Sequence, residues 1–387
     1  MNTPASVTGA EYGFGIYIHW PYCTRICPYC DFNVYAAKTR DTGPLIEAIC
    51  RDLVFHAERY GAAQPLGSIY FGGGTPSLIG ASGLSRILET IHDLFGAPST
   101  ETTLEANPLD ITASALADWK SLGIERLSLG VQSLREDALR FLGRDHSPDQ
   151  ARHAAEATLK TFPNTSVDLI YARPGQSIDD WEAELRETLD LGAPHLSLYE
   201  LTIEERTAFG KRVARGELTP MDDDGQADLY ELTQVICFEA GLPAYEVSNH
   251  AQGTPFESGH NRIYWNSGDW IGVGPGAHGR LTRNGQRLAT QAKRRPKDYT
   301  DAAELAEPQH SVETLSPTDV ARELISMGLR PATGLGRSRL REAGLDPAHE
   351  TLERFAEDGL LSARDDRIAL TDKGRLFADY IAARLAP

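Results

Sequence analysis

Positive charge is what this chain most clearly lacks: 38 Lys and Arg stand against 55 Asp and Glu, a formal charge of −17. Phosphate backbones need a concentrated cationic surface, so no nucleic-acid partner is expected. Long apolar runs are missing as well; none approaches the ~18 residues of a membrane span. The opening stretch MNTPASVTGAEYGFG has no Lys, no Arg and no apolar run, which excludes an export signal of the usual design. Cysteine is scarce and odd in number, five in 387 residues, and without an export signal that points to a reducing, cytoplasmic setting. There is no internal repeat and no low-complexity segment. What remains is an ordinary globular composition, 41% apolar and 24% charged, long enough for two or three domains.

Strand-like and helix-like segments alternate along the chain. Runs rich in β-branched and aromatic residues predict strands at Gly15–Trp20, Ser68–Gly73, Glu101–Ala106, Arg126–Val131, Ser166–Tyr171, His195–Leu201 and Ala244–Asn249. Helical patterns lie between them, as in SIDDWEAELRETLDLG, where Trp181, Leu185 and Leu189 recur at i, i+4 and i+8. About six such repeats predict an α/β fold with parallel strands and right-handed crossovers, either doubly wound or a complete or partial (β/α) barrel. In both, ligands bind at the carboxyl ends of the strands, where the cysteine loop, GGGTPS and Glu105 fall. After residue 280 the pattern changes. We expect a barrel domain over 1–280, a polar, turn-rich connector over 281–310, and a helical, winged-helix-like domain over 311–387. The last has 11 Lys and Arg against 13 Asp and Glu, so it is expected to pack or dock rather than to hold DNA.

Three of the five cysteines crowd into IYIHWPYCTRICPYCDF as Cys23, Cys27 and Cys30, spaced C-x3-C-x2-C. Cys50 and Cys237 stand alone and read as small buried apolar residues. CPYC by itself has the spacing of a redox dithiol, but Cys23 and the chain length fit that poorly. His19 with the three thiols would make a structural zinc set, although zinc more commonly takes two separated pairs. The third reading is an iron–sulfur cluster: a four-iron cubane normally takes four thiolates, so three leave one iron open to another ligand.

C-x3-C-x2-C after the first strand of a (β/α) barrel resembles the signature of radical S-adenosylmethionine (SAM) proteins. The resemblance implies a partial (β/α)6-type TIM barrel holding a 4Fe–4S cluster on Cys23, Cys27 and Cys30, with SAM chelating the open iron. In that family, an electron from the cluster cleaves SAM to a 5′-deoxyadenosyl radical. YIHWPYC, GGGTPS, LGVQS, LGRDH, VDLIYARPGQ and HLSLYELTIE are similar to the coproporphyrinogen III oxidase-like branch, in its order and over nearly the whole chain. Carried over motif by motif, its SAM contacts fall on Tyr17, Tyr29, Gly73, Gly74, Thr75, Glu105, Gln132, Arg144 and Asp168. His19 is typical of the family but has no assigned role.

The oxygen-independent oxidase of this branch decarboxylates coproporphyrinogen III. It has a further cysteine two residues after the third and a longer N-terminal extension. Here that position is Phe32, and 22 residues precede Cys23. Both departures point to the haem chaperones of the branch, which bind haem and deliver it to acceptor proteins, respiratory haem enzymes being the usual suggestion; the oxidase activity is the alternative. GHNRIYWNSGDWIGVGPGAHG contains H-N-x-x-Y-W, which resembles the chaperones' haem-associated motif. It makes His260 a candidate axial ligand beside Tyr264 and Trp265, with His278 second.

Overall fold

The computed structural model describes residues 13–37, 41–61, 65–342, 349–364 and 366–386. Residues 1–12, on which most of the export-signal argument rests, lie outside them. An eleven-stranded sheet forms the body. Six of its strands follow in chain order: β1 (Phe14–Trp20), β2 (Leu66–Gly73), β3 (Glu101–Ala106), β4 (Arg126–Gln132), β5 (Asn164–Tyr171) and β6 (His195–Glu200). Each pairs in parallel with the next. Their order never reverses, which separates a partial (β/α) barrel from a doubly wound sheet. Helices fill the crossovers, among them α1 (Gly43–Tyr60), α2 (Ala81–Phe95), α3 (Ala113–Ser121), α4 (Glu136–Phe141), α5 (Pro148–Thr161) and α6 (Ile178–Leu189).

Side chains on a strand alternate between faces, and here the alternation sorts chemistry. Ile16, Ile18, Trp20, Ile69, Phe71, Leu104, Leu127, Leu129, Val167 and Leu196 belong to one buried core, and burial of each contributes roughly 1.5–3 kcal/mol. The intervening positions are polar: Tyr17 and His19; Ser68 and Tyr70; Thr103 and Glu105; Arg126 and Ser128; Ser166 and Asp168; His195 and Ser197. Paired registers such as Tyr17 with Tyr70 and Ser128 with Ser166 keep these on a common face. The barrel interior is therefore polar.

Two expectations change. The segment Ala244–Asn249 is mostly a turn; the strand there, β7, is only Asn249–Ala251 and pairs antiparallel with β6. The Glu246 carboxylate folds the turn by accepting from the Ser248 amide at 2.7 Å and the Asn249 side chain at 2.6 Å. Residues 281–310, expected as a connector, instead extend the sheet. Strand β8 (Trp270–Val273) pairs in parallel with β1, and β9 (His278–Arg283), β10 (Gln286–Ala292) and β11 (His310–Thr314) follow antiparallel, with a helix, Pro296–Glu304, between the last two. Asn284 and Gly285 both have positive φ, 52° and 75°, and close the β9–β10 hairpin. Asn-Gly flanked by strand residues is a strong signal for that turn.

The C-terminal part has its own core, including Leu324, Leu335, Phe355, Ile368 and Ile381. Helix His349–Glu357, strands Leu361–Arg364 and Arg367–Leu370 and helix Ala378–Leu385 follow the expected winged-helix order, with Leu335–Gly336 as a third short strand. Arg280 ties this part to the sheet through Glu323 at 2.6 Å. Among the described residues no helix is long and apolar enough to cross a membrane.

Candidate cluster and cofactor site

The cysteine loop leaves the carboxyl end of β1. Tyr22–Cys23 and Tyr35–Ala36 pair as two-residue strands, which fixes the loop at both ends. Inside it the Cys30 amide donates to the Cys27 carbonyl at 3.1 Å. The loop forms one wall of a cavity of about 450 Å³ at the barrel mouth. Cys23, Cys27, Cys30 and Tyr29 line it, as do Gly73, Gly74 and Thr75 from the end of β2. Opposite are Glu105, Gln132, Arg144 and Asp168. Of the residues expected around SAM, Tyr17 is not in the lining. Its ring lies a layer deeper, stacked on Tyr70 with centroids 6.1 Å apart, and its hydroxyl meets His19 Nδ1 at 3.0 Å.

His19 has a positioning role that its sequence context did not disclose. Nε2 donates to the Asn33 carbonyl at 3.0 Å, so Nδ1 is the acceptor for Tyr17, and the ring ties β1 to the far side of the cysteine loop. Asn33 in turn donates to the carbonyls of Pro275 and Arg294, both at 2.8 Å. Gly73 sits against the His19 ring with φ 108°; a Cβ there would lie 2.6 Å from the imidazole. Only glycine suits that backbone and that gap.

The polar groups of the mouth are held in place before any ligand arrives. Glu105 accepts from the Tyr70 hydroxyl at 2.8 Å and the Gly73 amide at 3.1 Å. Burial raises its pKa to about 7, with Asp168 adding to the rise and these two hydrogen bonds opposing it. Asp168 accepts from Ser128 at 2.7 Å and Ser166 at 2.8 Å, and burial raises its pKa too. Arg144 donates to the Gly130 carbonyl at 2.9 Å and reaches Cys27 Sγ at 3.5 Å. Gln132 has a left-handed backbone, φ 66°, at the point where β4 ends. The turn after it is clamped by buried Glu184, which accepts from Ser133 Oγ and, at 2.7 Å, from the Leu134 amide, and pairs with Arg173 at 2.7 Å. Such strain costs about 1–3 kcal/mol and persists where the surroundings impose it.

These groups fit a cluster and a polar cofactor. Burial raises the Cys23 thiol and lifts Cys30 to about 11, which keeps both protonated until a cation draws off the protons. Among the described residues Gln132 Oε1 and Arg144 Nε are buried without hydrogen-bond partners, and both belong to residues that line the cavity. Tyr70, Ser128 and Tyr199 also line it, and motif matching did not single them out. Tyr70 and Ser128 were within reach of strand alternation, since each shares the inward face with a recognised neighbour.

The haem-associated motif lies elsewhere. His260 is the second residue of the helix Gly259–Trp265, which packs on the amino ends of β1 and β2, the opposite end of the barrel from the cysteines. Its ring touches Gly15, is 1% exposed, and has both nitrogens engaged: Nδ1 with Ser68 Oγ and Nε2 with the Tyr264 hydroxyl, each at 2.7 Å. Both nitrogens are thus taken up by hydrogen bonds within a buried ring, the surroundings of a core histidine. Tyr264 is committed to it, and Trp265 stacks under the Arg330 guanidinium at 5.5 Å. His278, by contrast, is exposed at the start of β9. Cys50 and Cys237 are buried apart from the site, as expected.

Comparison with known proteins agrees with this architecture. Residues 17–187 match the radical SAM superfamily model, and residues 315–377 match the HemN C-terminal domain. The chain is 37% identical to the heme chaperone HemW of Mycobacterium tuberculosis, covering 96% of this chain and 94% of that one. It is 34% identical to the Escherichia coli protein of the same name, over 95% and 96%. The fold is that of the E. coli coproporphyrinogen III oxidase HemN, a radical SAM enzyme, with a TM-score of 0.78 at 20% identity over 98% of this chain and 92% of that one. A 4Fe–4S cluster and SAM are what the radical SAM family implies. The chain belongs to the radical SAM superfamily, in the group whose relatives carry the name heme chaperone HemW.

Proposed function

We propose that this protein is a cytoplasmic haem chaperone: it holds a 4Fe–4S cluster on Cys23, Cys27 and Cys30, takes SAM at the barrel mouth, binds haem and passes it to acceptor proteins. The observation that carries the reading is Phe32. It stands where the oxidase has a further cysteine, and it is 64% exposed at the cavity's edge, an apolar aromatic surface in place of a thiol. Near-full-length similarity to the HemW chaperones supports the same assignment. When bound, the cluster with SAM supplies one-electron chemistry. The protein's own part is to position. Arg144 sets a cation beside Cys27; Glu105 and Asp168 present fixed carboxylates to hydroxyls or an ammonium group; Gly73 and Gly74 allow close backbone approach. For the haem iron, His278 is the better-placed imidazole. It reaches solvent at one edge, and partial desolvation of its ring, together with Arg280 and Arg294, lowers its pKa, which favours the neutral, ligating form.

The test is an anaerobic haem titration of cluster-loaded protein, following the Soret band, with His278→Ala and His260→Ala alongside. Saturation near one haem per chain is expected, weakened by His278→Ala and unchanged per folded chain by His260→Ala. Absence of binding, with turnover of coproporphyrinogen III, would establish the oxidase instead.

A further inference from the structure

One group of chemistry-bearing side chains lies outside this site. Asp52 and His56 stand one turn apart on α1, and His310 opens β11; all three are buried. Asp52 Oδ1 is 3.2 Å from His310 Nδ1 and 3.8 Å from His56 Nε2, and one donor atom from each residue lies within 4.8 Å of the other two. Buried imidazoles normally place their nitrogens in hydrogen bonds. Here, among the described residues, neither nitrogen of His56 has a hydrogen-bond partner, nor does Nε2 of His310. Meanwhile Asp52 Oδ2 accepts from the Tyr299 hydroxyl at 2.7 Å, and that oxygen accepts from the Gly274 amide at 2.9 Å. One carboxylate oxygen is thus fixed by an outer partner while the other faces two imidazoles, the support that metal ligands characteristically have.

We propose that Asp52, His56 and His310 bind one divalent cation of the zinc type. A tetrahedral site with bonds of about 2.0–2.1 Å places neighbouring ligand atoms roughly 3.3 Å apart, and the separations of 3.2 and 3.8 Å flank that value. The two imidazoles are stacked with centroids 4.5 Å apart and planes 18° from parallel, so loading would turn them until one nitrogen of each points at the ion beside Oδ1. A groove of about 490 Å³ lined by Arg51, Phe55, Ala303 and Gln309 runs alongside and offers an entry path and a source of water for the fourth position. The ligands come from positions 258 apart in sequence. The ion therefore clamps the added strands β8–β11 to the first helix of the barrel, a role independent of cluster, SAM and haem.

The experiment uses the full chain with Cys23, Cys27 and Cys30 replaced by Ala, so that no thiolate of the loop competes. Cobalt(II) is titrated first and zinc second. One cobalt per chain is expected, with visible d–d bands, no thiolate charge-transfer band and displacement by zinc. Saturating zinc should raise the thermal midpoint. His56→Ala and His310→Ala should each weaken binding at least 100-fold, and Tyr299→Phe by about 10–100-fold. A folded parent that takes up no cobalt at micromolar concentrations overturns the proposal, whatever the variants do. So does stoichiometric binding that survives both histidine substitutions.

Discussion

The two ends of the barrel are built from the same strands and the same inward-facing polar residues, yet they are finished in opposite ways. At the floor, polar groups are spent on one another. Ser68, His260 and Tyr264 form a closed chain; His195 links Ser166 at 2.8 Å to the Tyr245 hydroxyl at 3.0 Å; Glu101 accepts from the Gly259 amide at 2.7 Å. At the mouth, hydrogen bonds orient groups without using them up. Glu105 and Asp168 are aimed, Gln132 is forced into a left-handed turn, and Arg144 keeps an unpaired Nε. The lesson is that residue type does not locate chemistry in this fold. A histidine followed by tyrosine and tryptophan looks like a ligand motif, and the barrel uses it as a plug.

The comparison breaks most easily at the mouth. Cys27→Ser should abolish the broad visible absorption of the reconstituted protein while far-UV circular dichroism stays as it was; unchanged absorption would remove the three-cysteine assignment. The next largest effect belongs to the floor and reads out as stability. His260→Ala strands the Ser68 and Tyr264 hydroxyls and leaves a cavity, for a loss of about 3–5 kcal/mol in urea denaturation. Cluster absorption per folded chain should not change. Were the variant to keep its stability and lose haem, His260 would belong to the ligand after all and the two ends would not differ as described.

Much of the architecture was legible because its causes are local. Runs rich in β-branched and aromatic residues found β1 to β6 to within two residues at every boundary, and three thiols within eight residues announce themselves. What was not legible depends on distant partners. Glu246 turns a strand-like run into a corner through hydrogen bonds invisible in a hydropathy pattern. The polar stretch after residue 280 looks like a connector because β9 to β11 extend the sheet beyond the parallel barrel, where strands need no continuous apolar run. Its Asn284-Gly285 turn was the available clue. The placing of His260 at the floor follows from the return of the chain beneath β1 and β2, which no spacing in the motif encodes.

The smallest predicted effect sharpens the contrast at a single carboxylate. Burial raises Glu105 above the ordinary 4.5 to about 7, so the folded protein holds its proton more tightly than the unfolded chain does. Below pH 4.5 both states are protonated and nothing is lost. As pH rises from about 4.5 to 7 the unfolded chain releases the proton first, and the folded state loses relative stability until its own carboxyl ionises. Glu105→Gln carries no such proton. Its stability difference from the parent, measured by denaturant titration without cofactors, should therefore move in the variant's favour by about 2–3 kcal/mol between pH 4.5 and 8. The same substitution should weaken SAM binding, because it removes the carboxylate that the proposed site presents to that ligand. A difference that stays flat with pH would mean that Tyr70 and the Gly73 amide stabilise the ionised carboxylate enough to offset its burial. Glu105 would then be as fully satisfied as the residues of the floor.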